Sequence, residues 1–174
     1  MINFEAELTA YAEAVKSFRA EYDLPAEWFA GPDHVAIKCA GSSDYEATLA
    51  LWLPKAAQAQ YVELNGRRLA SARLLEPITV GGLGRADWLE VMEPRPEKVG
   101  IDPVGVDHME FVFTDFAAAE RVLRAKGIPY EAQQNPGHEW LSILADGHEF
   151  KLTNKSLADV IAAEFASGAA KALK

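Results

Sequence analysis

The sequence has little cysteine, no excess of positive charge and no long apolar run, and each shortage excludes a class of protein. A single cysteine among 174 residues cannot form an internal disulfide, and we expect this residue, Cys39, to be a small core side chain. The formal net charge of −9 disfavours nucleic acid and anionic membrane surfaces as partners, because both attract basic patches. No segment reaches the roughly 18 apolar residues of a transmembrane helix, and the N-terminus lacks the basic and apolar regions of a signal peptide. These absences predict a cytoplasmic protein with neither nucleic-acid nor membrane partners.

Several catalytic motifs are also missing from the sequence. There is no Cys-X-X-Cys and no His-Glu-X-X-His. The glycines at 81–84 do not lead from a strand into a helix, which disfavours a phosphate-binding loop. No arrangement typical of an activated nucleophile is present. Apolar residues at 49% and charged residues at 25% are ordinary for a globular protein with a sizeable core.

The most informative pattern that is present is an Asp-His pair that occurs twice. Asp33-His34 opens the run DHVAIKC, and Asp107-His108 opens the run DHMEFVF, 74 residues later. Both runs alternate with a period of two, which predicts strands. Two similar strands indicate a duplicated unit, and its pairing about a pseudo-two-fold axis would bring the two histidines together. Imidazole is the commonest protein metal ligand, so this geometry favours a metal or ligand site.

The rest of the chain predicts an α+β protein in which two similar βαβββ modules pair. A helix is predicted over 3–22 from apolar spacings of three and four, and another over about 44–58 from the capping pattern of Ser43 and Glu46. Asn65-Gly66 predicts a hairpin. In the second half, Thr114-Asp115 predicts a helix start, and a final helix is expected from Ser156 to about 172.

The predicted organisation is one compact domain in five segments. We expect an N-terminal helical extension, a first module, a linker, a second module and a C-terminal helix, over 1–32, 33–93, 94–105, 106–154 and 155–174. Strand parity then separates two faces of the second module. Met109, Phe111 and Phe113 share a face that should pack under helices, whereas His108 and Glu110 lie on the other face. If the two modules join edge to edge and curl, that polar face becomes the inside of a cup.

With these elements in place, the sequence resembles the YecM family within the vicinal oxygen chelate superfamily of glyoxalases, bleomycin-resistance proteins and extradiol dioxygenases. The resemblance rests on an ordered set of motifs: DHVAIKC at 33–39, Asn65-Gly66-Arg67, Leu75-Glu76-Pro77, Pro94-Arg95-Pro96-Glu97-Lys98, DHMEF at 107–111, and Asp146-Gly147 followed by SLADVIAAE at 156–164. It implies a curved mixed sheet of two paired βαβββ modules, with extra N- and C-terminal helices.

The resemblance also implies metal ligands from the first and the last strand of each module. These positions correspond to His34, Glu90 and His108, but the fourth position carries Lys151 where the superfamily often has a glutamate. A protonated lysine has no free lone pair for a metal. Glu149 lies two residues earlier on the same strand face and would substitute only with a shift in register. The other alternative is that Lys151 displaces the metal altogether.

Further side chains are candidates for the cavity. Glu110 alternates with His108 on the same face of its strand, which makes it a candidate catalytic base in the cup. Lys38 likewise shares the face of His34 on the first strand. Lys151 is a candidate catalytic residue that either pairs with Glu149 or holds an anionic substrate. His138 is expected in a turn or on the surface, as is His148.

Two functions from different classes follow from these residues. The first is a metal-dependent enzyme with Zn, Ni, Mn or Fe(II), acting on a small molecule with adjacent oxygens by isomerase, lyase or dioxygenase chemistry. The second is a metal-free module that binds or sequesters a small molecule in the cup. The sequence determines neither the substrate nor the oligomeric state.

Overall fold

The structure is a computed structural model that describes residues 3–64, 66–135 and 137–173. The described residues form four α-helices: α1 (Phe4–Glu21), α2 (Ser42–Trp52), α3 (Phe116–Ala125) and α4 (Leu157–Ser167). They also form nine strands: β1 (His34–Lys38), β2 (Ala56–Leu64), β3 (Arg67–Val80), β4 (Gly84–Met92), β5 (Gly105–Val112), β6 (Glu131–Asn135), β7 (His138–Ala145), β8 (His148–Thr153) and β9 (Ala170–Ala172). None of the helices in this part of the chain is long and apolar enough to cross a membrane.

All nine strands belong to one curved mixed sheet in the order β6-β7-β8-β5-β1-β4-β3-β2-β9. Each module runs βαβββ, with its first strand parallel to its last: β1 beside β4 and β5 beside β8. The two modules join where β1 and β5 pair antiparallel. This arrangement confirms the prediction of two paired βαβββ modules, and it places the two Asp-His pairs on neighbouring strands.

Helix α1 packs on the convex, apolar face of the sheet, as its amphipathic pattern predicts. Its buried side chains include Val15 and Phe18, and the Phe18 ring meets the Phe150 ring of β8 at 5.0 Å between centroids. The Glu7 carboxylate accepts a 2.6 Å hydrogen bond from the Val106 backbone N–H. Gly105 beside it has a φ of 129°, and a Cβ at this position would collide with that carboxylate. The helix is therefore docked directly onto the start of β5.

Helix α4 packs on the opposite, concave face. Leu157 and Ile161 form a small apolar cluster with Trp88 of β4. The Ser156 side chain caps the helix by accepting from the Asp159 N–H at 3.1 Å, as the sequence predicts. The concave face is therefore a covered interior, and its polar residues are buried: His34, His108 and Glu110 are 2%, 3% and 7% exposed.

Two helices end earlier than predicted. Helix α2 spans Ser42–Trp52 rather than 44–58, because a short 3₁₀ turn containing Pro54 follows it and β2 begins at Ala56. Helix α4 ends at Ser167, where Gly168 adopts the left-handed conformation, and Ala170–Ala172 pairs with β2 instead of continuing the helix. The predicted turn at Asn65 lies outside the described residues.

Candidate functional site

The site forms where β1 and β5 pair. In this antiparallel register His34 lies opposite Glu110, and His108 lies opposite Ala36. Side chains opposite each other share a face of the sheet, so two imidazoles and one carboxylate project together onto the concave side. The two imidazole rings lie 5.7 Å apart between centroids, at an interplanar angle of 78°. The expectation that the modules bring the two histidines together agrees with this distance.

Each imidazole is oriented by the aspartate that precedes it in the sequence. His34 Nδ1 lies 3.0 Å from Asp33 Oδ2, and His108 Nδ1 lies 2.8 Å from Asp107 Oδ2. A carboxylate at Nδ1 accepts a hydrogen bond from the N–H of that nitrogen, which leaves Nε2 as the inward-facing atom. The repeated Asp-His pair is thus a repeated unit of ligand plus orienting carboxylate.

Both aspartates are themselves held in place. Asp33 Oδ2 also accepts from the Leu157 N–H at the start of α4, at 2.9 Å. Asp107 Oδ1 lies 2.6 Å from Lys38 Nζ, and the Tyr11 hydroxyl donates to the Asp107 backbone carbonyl. Burial raises the pKa of Asp107, but the hydrogen bond with His108 and the Lys38 ammonium outweigh it and lower that pKa below its usual range. Asp107 is therefore a stable anion, able to hold the imidazole.

The inward-facing atoms converge on one carboxylate. Glu110 Oε1 lies 3.8 Å from His34 Nε2 and 3.4 Å from His108 Nε2. Burial raises the pKa of Glu110, but His34, the hydrogen bond with His108 and the charge of Lys151 prevail and hold that pKa well below its usual range. One donor atom from each of these three buried side chains lies within 4.8 Å of the other two, so the group can hold a metal ion.

Lys151 is the fourth member of the cluster. It lies opposite Glu110 in the pairing of β5 with β8. Its Nζ is 3.0 Å from His108 Nε2 and 3.4 Å from Glu110 Oε1. Burial and this ammonium act to lower the pKa of His108, but the hydrogen bonds with Asp107 and Glu110 prevail and raise it. The ion-pair partner of Lys151 is thus Glu110, and the alternative pairing of Lys151 with Glu149 does not occur among the described residues.

The strand register pairs equivalent positions on the first and last strands of the two modules. Ala36 lies opposite Glu90 in the first module, and Glu110 lies opposite Lys151 in the second. Lys151 is therefore the pseudo-equivalent of Glu90, and Glu110 is the pseudo-equivalent of Ala36. The second module carries its carboxylate on the first strand of the module instead of the last.

The two remaining ligand candidates lie outside the three-residue cluster. Glu90 lines the same cavity, although its carboxylate is not part of the group within 4.8 Å. Glu149 lines a separate groove beside Ser142 and Leu144. Metal ligation by Glu90 or Glu149 stays a prediction.

A cavity of about 190 Å³ lies in front of the cluster, between the sheet and α4. Three basic side chains line it together with four carboxyl groups: Arg67, Lys151, Lys155, Glu90, Asp107, Glu110 and Glu164. Leu157, Val160 and Glu164 of α4 close one side. Burial raises the pKa of Glu164. A larger cleft of about 650 Å³, lined by Arg73 and Arg85, lies beside α4 and does not include the cluster.

The sequence profile of the YecM protein family matches residues 2–164. The chain belongs to the YecM family. Among solved structures, the structural-genomics protein EC4020 is similar over 93% of this chain and 91% of its own, with 19% identity and a TM-score of 0.75. The hypothetical protein BH1468 from Bacillus halodurans C-125 is similar over 71% of this chain and 93% of its own, with 14% identity and a TM-score of 0.50.

A methylmalonyl-CoA epimerase in complex with methylmalonyl-CoA is also similar, over 70% of this chain and 92% of its own, with 20% identity and a TM-score of 0.46. No curated protein matches the sequence significantly. The paired βαβββ modules of this YecM-family chain form the vicinal oxygen chelate fold, as the resemblance implies. The likeness to EC4020 and BH1468, at 19% and 14% identity, concerns the fold alone.

The sequence did not predict two features of this YecM-family site: the position of His138 and the roles of Asp33 and Asp107. His138, expected in a turn or on the surface, is half-buried in the cavity; its Nε2 lies 2.8 Å from Thr153 Oγ1 and its ring lies 5.0 Å from the Trp140 ring. Strand β7 begins at His138, two residues before Trp140, so a period of two places both side chains on the same face of the sheet. The sequence showed only that an aspartate precedes each histidine in both repeats, and it did not indicate that Asp33 and Asp107 orient the imidazoles.

Proposed function

We propose that this protein is a vicinal oxygen chelate enzyme that holds a divalent metal at His34, His108 and Glu110 and acts on a small molecule with adjacent oxygens. One observation carries this proposal: two Nε2 atoms and one carboxylate oxygen converge in a buried site, and both Nδ1 atoms are anchored on aspartates. Carboxylate-held imidazoles are the usual outer shell of metal-bound histidine.

The donor geometry fits a transition metal. Nitrogen and carboxylate ligands lie about 2.0–2.2 Å from such an ion, so two ligands of one ion are separated by at most about 4.4 Å. The distances from Glu110 Oε1 to the two Nε2 atoms, 3.8 and 3.4 Å, are below this limit. Two imidazoles and a carboxylate suit Zn, Ni, Mn or Fe(II), and the donor set does not choose among them. When bound, the metal would supply Lewis-acid stabilisation of negative charge on a ligand with adjacent oxygens.

The chain's own residues have distinct parts in this proposal. Asp33 and Asp107 keep both Nε2 atoms facing the cavity. Glu110, a candidate base by sequence, is better placed as a ligand. Lys151 is able to hold an anionic group or pass it a proton, since its ammonium reaches the centre of the cluster. Helix α4 covers one side of the cavity, and reduced contact with water strengthens each of these charge interactions. Isomerase, lyase and dioxygenase reactions are all compatible with this arrangement.

One observation favours a second candidate function, a metal-free binding module. Lys151 Nζ lies 3.0 Å from His108 Nε2, the same atom that a metal would need as a ligand. In this alternative the Lys151 ammonium takes the place of the ion, and the cavity holds a small molecule through its polar lining.

Elemental analysis by mass spectrometry distinguishes the two functions. The protein is purified without an affinity tag, dialysed against Zn, Ni, Mn and Fe(II) in turn, and compared with a His34→Ala, His108→Ala double variant. His148→Ala serves as the control, because the His148 ring packs against the Tyr11 ring at 4.3 Å between centroids and is not among the described residues that line the cavity. We expect close to one ion per chain in the parent and the control, and none in the double variant. Equal metal content in all three proteins would reject the metal centre.

A further inference from the structure

Arg67 is a basic side chain that faces the metal-site cavity without a carboxylate partner in the described part of the chain. Its Nε is buried and has no hydrogen-bond partner among the described residues. Its Nη1 has only a 3.5 Å contact with the Glu93 backbone carbonyl. The neighbouring Arg68, by contrast, is paired with both Glu46 and Glu93. A buried donor without an acceptor is costly in a folded protein and calls for an explanation, such as a bound ligand.

The position of Arg67 is one of two equivalent corners of the cavity. Arg67 lies opposite Leu64 in the pairing of β2 with β3, and His138 lies opposite Asn135 in the pairing of β6 with β7. The pseudo-two-fold axis therefore relates Arg67 to His138, and both line the cavity. One corner presents a permanent cation and the other an imidazole, so an anionic ligand has a preferred orientation between them.

The wall beside Arg67 is apolar. Leu69 and Met92, 7% and 2% exposed, form a small cluster with Ala36 on the concave face, and Val62 packs against it. The cavity of about 190 Å³ has the liquid volume of about six water molecules and is smaller than the roughly 300–1,000 Å³ of drug-sized sites. A ligand that fills it has a short aliphatic part.

We propose that the ligand is a short-chain aliphatic carboxylic acid whose carboxylate binds the Arg67 guanidinium and whose chain packs on Leu69 and Met92. The free edge of the guanidinium, Nε with Nη2, has the planar two-donor geometry that matches a carboxylate. The polar end of the ligand beyond this chain then faces the His34–His108–Glu110 cluster, which lines the same cavity. This second contact rests on the metal centre proposed above, whereas the carboxylate contact with Arg67 does not.

Calorimetric titration of the zinc-loaded, untagged protein tests the proposal. The probes are 2-oxobutanoate and 2-hydroxybutanoate, with methyl 2-oxobutanoate as the neutral analogue and inorganic phosphate as the competing anion. The variants are Arg67→Met and Arg67→Lys. Arg73→Met is the matched control, because Arg73 is on the same strand but lines the other cleft. We expect Arg67→Met to weaken binding of the acids by about ten- to a hundredfold, Arg67→Lys to weaken it less, and the ester to bind poorly throughout.

The outcomes separate this proposal from the metal centre. Zinc affinity measured on Arg67→Met should equal that of the parent, which also shows that the variant is folded. Equal binding of the acids by parent and Arg67→Met overturns the proposal, as does equal binding of acid and ester, tighter binding of phosphate, or no binding of either acid by the parent. If the parent binds no zinc, the titration is repeated without metal. Weaker acid binding by Arg67→Met then still supports the carboxylate contact, while the metal centre is rejected.

Discussion

Replacing Lys151 by methionine should strengthen metal binding. The substitution keeps an unbranched side chain of similar length and removes the ammonium that lies 3.0 Å from His108 Nε2 and 3.4 Å from Glu110 Oε1. A metal held by these two residues would lie about 2 Å from each donor atom. It would therefore be within about 4 Å of the lysine nitrogen unless the lysine moves.

The magnitude follows from the charges. Two unit charges 4 Å apart interact by about 4 kcal/mol at an effective dielectric constant of 20, so a divalent ion and an ammonium repel by about 8 kcal/mol. The lysine relieves most of this repulsion by swinging its long side chain away, at the expense of its ion pair with Glu110. A residual penalty of about 1.4–3 kcal/mol corresponds to a ten- to hundredfold lower dissociation constant in the variant.

Calorimetry with Zn and Ni measures the change. Lys155→Met is the matched control, because Lys155 lines the same cavity and its loss changes the net charge equally, yet it has no contact with the cluster among the described ion pairs and hydrogen bonds. Lys151→Glu, which places a carboxylate at the pseudo-equivalent of Glu90, should bind at least as tightly as Lys151→Met. Unchanged or weaker metal binding by Lys151→Met, with Lys155→Met equal to the parent, would refute the reasoning and indicate that Lys151 supports the bound ion.

Three further predictions concern stability. Phe18→Ala should lower the free energy of unfolding in urea by about 3–5 kcal/mol, because Phe18 is 6% exposed. Phe165 is exposed, so Phe165→Ala should lower it by less than about 1 kcal/mol. Similar losses in the two variants would contradict the packing of α1. The Arg68 hydrogen bond lowers the pKa of Glu93 to about 2. Ionised Glu93 therefore stabilises the fold at pH values above its unfolded pKa of about 4.3, and this stabilisation is lost as the pH falls towards about 2. Glu93→Gln should therefore be less stable than the parent at pH 7 by up to about 3 kcal/mol, with a gap that shrinks between about pH 4.5 and 2; a gap independent of pH would exclude this linkage. Zinc at a hundred times its dissociation constant should add about 2.7 kcal/mol to the parent and nothing to His34→Ala, as read from the melting temperature with and without chelator; equal shifts in both proteins would argue against the site.

Much of the fold was predictable because its signals are local. Alternation with a period of two marks β1 and β5, and the amphipathic spacing of α1 matches its observed bounds to within a residue or two. The ends of α2 and α4 were misplaced for different reasons. Pro54 stops α2 early although the apolar pattern continues, and residues 170–172 exchange helical hydrogen bonds for pairing with β2. That pairing joins segments about a hundred residues apart, which no local pattern specifies.

The candidate site divides in the same way. The repeated Asp-His pair identified His34 and His108, and strand parity placed Glu110 on their face. Parity could not choose between Glu110 and Glu149 as the partner of Lys151, because both choices satisfy a period of two. The register of β5 against β8 places Glu110 opposite Lys151, and it therefore determines which carboxylate pairs with the lysine.

The sequence by itself therefore determined that β1 and β5 are strands, which of their faces is polar and which two histidines are related by duplication, because these depend on alternation along one segment. Only the tertiary structure decided that α4 covers the concave face, that Asp33 links the His34 ring to the start of α4, and that Arg67 and His138 lie at equivalent corners of one cavity. These features depend on strand register and helix docking, which are set by packing between segments far apart in the chain.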